Sequence, residues 1–309
     1  CRVVFYVVVG WAVLAILAFA IVRKAPGGVD DDEKARKKAD HAGRVDQKRT
    51  IVFVAGQPSH GPMEHEYHAG CMLLANKLRA FAPDWDIRVF RDEWPKDESA
   101  FDGVDAIVLY CDGGRKHLAL PHLDRIDRMV DRGVGLVFLH YALEAPQGEA
   151  GEKFLKWVGG YFDSSRSICT FWKTGVVSLP EHPITRGVKP FEVDDEFYFD
   201  IRFREKLKGV TPILTAIPPE EAFGKRTVRE PKNAPQHVAW AGERENGSRG
   251  FGFTGGHFHK NWADDDMRRV VLNAIVWTAK ADAPENGVVS TVTVDELKEH
   301  LDPKSAIAP

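Results

Sequence analysis

Histidines and carboxylates recur in this chain where short apolar runs end. Gln57-Pro58-Ser59-His60-Gly61, then Glu64, His65 and His68, follow the run 51–55. Cys111-Asp112-Gly113-Gly114 and His117 follow 106–110, and His140 with Glu144 follows 135–139. Thr254-Gly255-Gly256-His257-Phe258-His259, Asn261 and Trp262 follow 250–253, and Asp194-Asp195-Glu196 precede Phe197-Tyr198-Phe199. Imidazole titrates near neutrality and can take or give a proton, while a carboxylate orients it or stabilises its charge. His60, Asp112, His140, Glu196 and His257 are therefore the candidate catalytic groups. His65, His117, His259 and Trp262 are candidate ligand-binding groups.

Each has a plainer alternative. A histidine at a strand end also anchors loops by hydrogen bonds, and Asp-Gly-Gly is ordinary turn chemistry. His257 and His259, two residues apart on one strand face, form a pair that binds zinc when a third ligand such as Asp112 or Glu196 is added. Otherwise one faces the cleft and the other holds a loop. Trp172, Tyr198 and Trp262 could stack on a sugar ring or simply pack. No metal or cofactor is assigned from the sequence.

These residues need elements that bring them together. Residues 51–55, 106–110 and 135–139 are continuous apolar runs, as in strands buried on both faces, and 87–90 is a further strand. Tyr67, Cys71, Leu74, Leu78 and Phe81 recur at helical spacing, and Leu123, Ile126 and Met129 mark a helix after Pro121. Residues 238–240 and 250–253 are further strands. Asp264 opens a helix over 264–279, and Thr293 with Glu296 fits a capping box for a last short one. The alternation predicts an α/β fold, a flavodoxin-like parallel sheet with helices on both faces. The Pro-richer stretch 165–235 reads as an inserted antiparallel and loop region. Open α/β sheets bind ligands beyond the carboxyl ends of their strands, where His60, His140, His257 and His259 would converge.

Composition removes several classes. Among 309 residues, 42 Lys and Arg face 45 Asp and Glu, a net charge of −3, and no basic face marks a nucleic-acid partner. Cysteines at 1, 71, 111 and 169 form no CxxC pair. No GxSxG elbow, GxxxxGK[ST] loop or GxGxxG turn is present. Cys71 lies on the helical stripe and reads as core, leaving Cys111 as the cysteine placed to react.

Residues 3–22 are 20 uncharged residues without proline, enough to span about 30 Å of hydrocarbon as a helix. They read as a single transmembrane helix preceding the α/β domain, in contact with membrane lipid. A cleaved signal peptide ending near Ala18-Phe19-Ala20 is the alternative. A signal anchor would place the domain outside the cytoplasm, at the cell membrane. The basic residues after the span point the other way, and Cys1 could be lipidated. The expected organisation is an anchor over 1–24, a charged tether over 25–49, the α/β domain over 50–281 and a C-terminal extension over 282–309.

The chain resembles the ThuA-like (trehalose-utilisation) family, with a fold similar to class I glutamine amidotransferases. The resemblance runs from about Thr50 to Ala279. It rests on Ser59-His60-Gly61 with Glu64-His65, Asp112-Gly113-Gly114 with His117, and Gly135-Leu136-Val137-Phe138-Leu139-His140. Further matches are His182-Pro183-Ile184-Thr185-Arg186-Gly187, Asp195-Glu196-Phe197-Tyr198 and Gly252-Phe253-Thr254-Gly255-Gly256-His257-Phe258-His259. It implies the flavodoxin-like sheet and a link to sugar metabolism. In the amidotransferase relatives a nucleophilic cysteine follows a central strand. Here that place is Leu139-His140-Tyr141, so a thioester route is not supported and His140 would act as base or ligand.

Two functions remain open. One is a membrane-tethered domain that binds or transforms a sugar or glycan through the His/Asp/Glu cleft. The other is a non-catalytic accessory or stabilising subunit of a larger membrane complex, respiratory or photosynthetic. In it, Gly10, Ala12, Ala15 and Ala18 would pack against integral-membrane partner subunits. Convergence of the cleft residues discriminates between them.

Overall fold

The computed structural model describes residues 47–224, 231 and 234–304. The apolar run 3–22 and most of the charged tether lie outside the described residues. Among the described residues no helix is long and apolar enough to cross a membrane.

The chain begins with β1 (Thr50–Ala55), α1 (Tyr67–Phe81), β2 (Asp86–Phe90), β3 (Ala106–Tyr110), α2 (Leu123–Asp131) and β4 (Gly135–Leu139). Next come α3 (Glu149–Val158), β5 (Gly160–Tyr161), β6 (Ile168–Ser178), β7 (Glu192–Phe199) and β8 (Arg202–Phe203). β9 (Val210–Ala216), β10 (Gln236–Glu243), β11 (Arg249–Phe253) and α4 (Asp265–Thr278) complete it, joined by short 3-10 turns. Nine strands form one sheet in the order β2-β1-β3-β4-β11-β10-β9-β6-β7, while β5 and β8 pair separately. β2, β1, β3, β4 and β11 run parallel. β10, β9, β6 and β7 are antiparallel to their neighbours. The sheet is therefore mixed, with its parallel half where the sequence predicts strands and its antiparallel half drawn largely from 165–243.

Both faces are covered, as a parallel sheet requires. Ile51, Phe53 and Ala55 point to the layer of α1 and α4, and Val52 and Val54 to the layer of α2 and α3. Strand alternation thus divides the core in two. Asp264 caps α4, its side chain accepting from Asp266 N at 3.1 Å and Met267 N at 2.8 Å, with Asp265 and Asp266 in the first turn. α3 is the helix that periodicity does not announce. Gly151 interrupts it, and its apolar face is confined to Phe154, Trp157 and Val158 near its end.

Thr293 N donates to Glu296 Oε2 at 2.8 Å and Glu296 N to Thr293 Oγ1 at 3.2 Å, the capping-box exchange before a 3-10 turn over Glu296–Lys298. The segment after α4 packs back on the domain. Val288 is buried and donates its N–H to Asn273 Oδ1 at 2.8 Å, and Arg268 Nε donates to Ser290 Oγ at 2.8 Å. Lys304 pairs with buried Glu66 at 3.3 Å, and its ammonium donates to Glu64 O and His65 O.

Candidate functional site

The polar loops at the carboxyl ends of the parallel strands meet between β1, β3, β4 and β11, the switch region of such sheets. His60 and His65 come from the loop after β1, Asp112 from the end of β3, and His140 from the end of β4. His257 comes from the loop after β11, and Glu196 from β7. β7 reaches this end because β6 pairs with it through Ile168–Gly175 and with β9 only farther along. Asp195 then fastens β7 to the His257 loop by accepting from Gly256 N at 2.7 Å and Phe258 N at 3.1 Å.

The loops are tightly drawn. His60, His65 and His140 have φ of 62°, 45° and 54°, left-handed values that non-glycine residues adopt at a cost and that cluster at functional sites. His140 starts a 3-10 turn directly after β4, the strand-to-turn geometry of a nucleophile elbow with an imidazole in the nucleophile's place. Gly113 is required at the end of β3, because a Cβ there would strike the Tyr141 carbonyl and the Glu144 side chain.

Four donor groups face one another. His65 Nε2 is 2.9 Å from His257 Nδ1 and 3.1 Å from His140 Nε2. Glu196 Oε2 is 3.4 Å from His257 Nδ1 and 3.5 Å from His140 Nε2. Neighbours fix two of the imidazoles. His140 Nδ1 is 2.7 Å from the Thr254 carbonyl, which only accepts, so Nδ1 carries the proton and Nε2 a lone pair. Tyr67 Oη donates to Asp112 Oδ1 at 2.8 Å and lies 2.6 Å from His65 Nδ1. Its one proton is thus used, His65 Nδ1 donates to it, and His65 Nε2 is also a lone pair. The ligand atoms of His65, His140, Glu196 and His257 all lie within 4.8 Å of one another, as do those of His60, His65 and Asp112. Either set could hold a metal ion.

A second relay ends on His60. Ser59 Oγ donates to Asp112 Oδ1 at 2.7 Å and lies 3.0 Å from His60 Nδ1, so Nδ1 donates and Nε2 is left basic. The ring centroids of His60 and His65 lie 3.6 Å apart, with the planes tilted by 36°. Burial holds His60 below the ordinary imidazole range despite the nearby Asp112, and burial holds His65 at about 4. Burial and the neighbouring His65 keep His140 well below that range. Burial raises Asp112, but the nearby His65 and hydrogen bonds from Ser59 and Tyr67 outweigh it and hold the carboxyl at about 2. At neutral pH His60, His65 and His140 are neutral beside an ionised Asp112. A cavity of about 610 Å³ opens against Ser59, Asp112, Gln57 and Lys116.

Residues 60–278 match the family model for trehalose utilisation, ThuA. The chain belongs to the ThuA family. Two solved structures share its fold. One is a ThuA-like protein from Bacteroides uniformis, 15% identical with a TM-score of 0.53 over 76% of this chain and 92% of that one. The other, from Parabacteroides merdae, is 16% identical with a TM-score of 0.53 over 77% and 92%. No curated protein matches the chain.

In this ThuA domain His60, Asp112, His140, Glu196, His257 and His65 come together, and three expected residues stand apart. His117 Nε2 donates to Ala142 O at 2.9 Å while its Nδ1 accepts from Ala119 N at 3.0 Å, and its ring packs on Phe138 and Phe154. His259 is buried outside the cluster, so the i, i+2 pair splits into one cleft histidine and one loop histidine. Trp262 is fully buried against Tyr110. Trp172 and Tyr198 are buried too, which removes the expected stacking surface. Phe171 is the exposed aromatic instead, 56% accessible and 5.0 Å from the His257 ring, because strand alternation turns Trp172 inward. Cys111 is buried, and burial pushes its thiol up to about 12, against the thiolate form that a nucleophile needs. Of the acidic run, Asp194 is exposed, Asp195 holds the loop and Glu196 faces the histidines. Sequence reading missed Tyr67, which sits on a stripe that reads as core, and Ser59, which no spacing singles out.

Proposed function

We propose that this ThuA-family domain binds and transforms a sugar or glycan in the cleft formed by His60, Asp112, His140, Glu196 and His257. The observation that carries the reading is the convergence of these groups at one end of the sheet, where Asp112 also lines a cavity of about 610 Å³, a volume typical of small-ligand sites. The family's description, trehalose utilisation, supports a sugar as the ligand class. His60 is the general base in this reading. It is exposed at the mouth, neutral at pH 7, and oriented through Ser59 by Asp112, as a base positioned by a third group. His140 Nε2 and the Glu196 carboxylate are acceptors, and orient a sugar hydroxyl by taking hydrogen bonds from it. Phe171 at the rim offers a flat apolar face to a pyranose ring.

A panel of mono- and disaccharides, scored by thermal shift and by product formation in NMR spectra, tests this. At least one sugar should raise the melting temperature and be consumed, and His140→Ala should abolish turnover. A panel without effect on the wild-type protein refutes the reading.

The accessory-subunit reading is supported by one feature, the uncharged run 3–22, which also supports membrane anchoring at the cell membrane. Gentle detergent extraction and a native gel separate the two. Stoichiometric migration in a large complex favours the accessory role, and migration alone favours a tethered enzyme.

A further inference from the structure

We propose that His65, His140, His257 and Glu196 form a binding site for one divalent transition-metal ion of the zinc class. This deepens the cleft reading above and rests on the same residues.

The lone pairs require something between them. His65 Nε2 and His140 Nε2 face each other at 3.1 Å, and neither carries a proton, because Tyr67 and the Thr254 carbonyl hold both protons on Nδ1. His257 Nδ1 and the Glu196 carboxylate oxygen complete the ring at 2.9–3.5 Å spacings. With the His257 proton on Nε2, which has no hydrogen-bond partner, Tyr198 Oη at 3.2 Å from His140 Nε2 is the one donor for four acceptors; with it on Nδ1, two donors serve three acceptors. In either tautomer the acceptors pointing at one place outnumber the donors. A cation satisfies all four.

The spacing and chemistry agree with that occupant. Tetrahedral bonds of about 2.0–2.1 Å place neighbouring ligand atoms about 3.3 Å apart. Three imidazoles and one carboxylate suit zinc and its first-row neighbours rather than magnesium or calcium. The hydrogen bonds behind the ligands have the form that metal-bound histidines need: Asp112 acts through Tyr67 on His65, and Thr254 acts on His140. The four ligands come from four different elements, two of them locked at positive φ, so the set is fixed before any ion arrives.

The test uses the full chain, stripped with a chelator, dialysed, and titrated calorimetrically with Zn²⁺. One equivalent should bind with micromolar or tighter affinity, and Co²⁺ should give the intense visible bands of a four- or five-coordinate site. Glu196→Gln and His140→Ala should each abolish saturable binding. Tyr67→Phe, which touches no ion, should weaken it by about 10–100-fold by releasing the His65 tautomer. If His140→Ala fails to fold by circular dichroism, the isosteric Glu196→Gln decides. Absence of saturable binding, or unchanged affinity in a folded Glu196→Gln protein, overturns the proposal. Sugar turnover that survives in chelated protein without metal uptake overturns it and leaves the sugar reading standing. Stoichiometric metal uptake with no sugar response does the reverse.

Discussion

At the scale of single residues, the histidines differ by what their second nitrogen meets. His60 and His117 illustrate the two outcomes. His60 donates toward Ser59 and keeps a basic nitrogen at the cleft mouth. His60→Ala should therefore lower turnover of any accepted sugar by about 10²–10⁴-fold, the usual worth of a positioned base, without changing the melting temperature. Steady-state kinetics and a thermal melt check both halves. His117 spends both nitrogens on backbone groups and is buried, which holds it at about 4 against 6.5 in the unfolded chain. The native state thus binds fewer protons than the unfolded state between those values. Stability should be complete above pH 6.5 and fall as pH drops toward 4, by at most about 3 kcal/mol from this residue. His117→Gln keeps a donor and an acceptor but does not titrate, so urea melts from pH 7 to pH 4 should show a flatter loss. An unchanged pH slope would remove His117 from this role.

At the scale of elements, the site depends on β7 lying across the ends of strands that are not its sheet neighbours. Asp195 makes that junction by accepting three backbone N–H groups, those of Gly256, Phe258 and Glu196. Asn in its place turns an amide toward donors, so Asp195→Asn should destabilise the fold by about 1–3 kcal/mol. The same change should release the His257 loop and reduce ligand affinity. Denaturant melts and ligand titration test the two effects together; a stability loss with intact affinity would show that the loop is held by other contacts. Gly113 acts at the same scale, letting the β3 turn pass beneath Tyr141.

For the whole molecule, the parallel and antiparallel halves share one sheet through the β11–β10 ladder, and two apolar layers run along it. The segment after α4 also joins that body. Truncation after residue 281 removes the cover over Asn273, the Ser290 contacts of Arg268 and the Lys304 partner of buried Glu66. The loss of the Glu66 ion pair, of the Asp302 N–H donor to Glu66 and of buried Val288 together destabilises the fold. A fragment of residues 47–304 should melt in one cooperative transition, and one ending at 281 should melt far lower and lose ligand binding with it. The loss follows because Lys304 also holds the backbone of Glu64 and His65. Equal stability of the two fragments would refute this account.

The sequence by itself determined the parallel strands, three of the four helices and the family. These follow from local periodicity: residues 51–55 or 135–139 are apolar on every side because both faces of their sheet are covered. It also placed His60, Asp112, His140 and His257 at one edge, since side chains just past parallel strands must emerge there. Glu196 was legible only as the best of three adjacent acids. What the tertiary structure decided was which nitrogen each histidine offers. Tyr67 lies on a helix and Thr254 beyond β11, and only folding brings them against His65 and His140 to set the tautomers. His257 and His259 have identical local spacing, yet one faces the cleft and the other the core. Trp172, a stacking candidate, is buried while its neighbour Phe171 is exposed, for the same reason. Which side of a segment is covered depends on partners distant in the chain, and no local period records them.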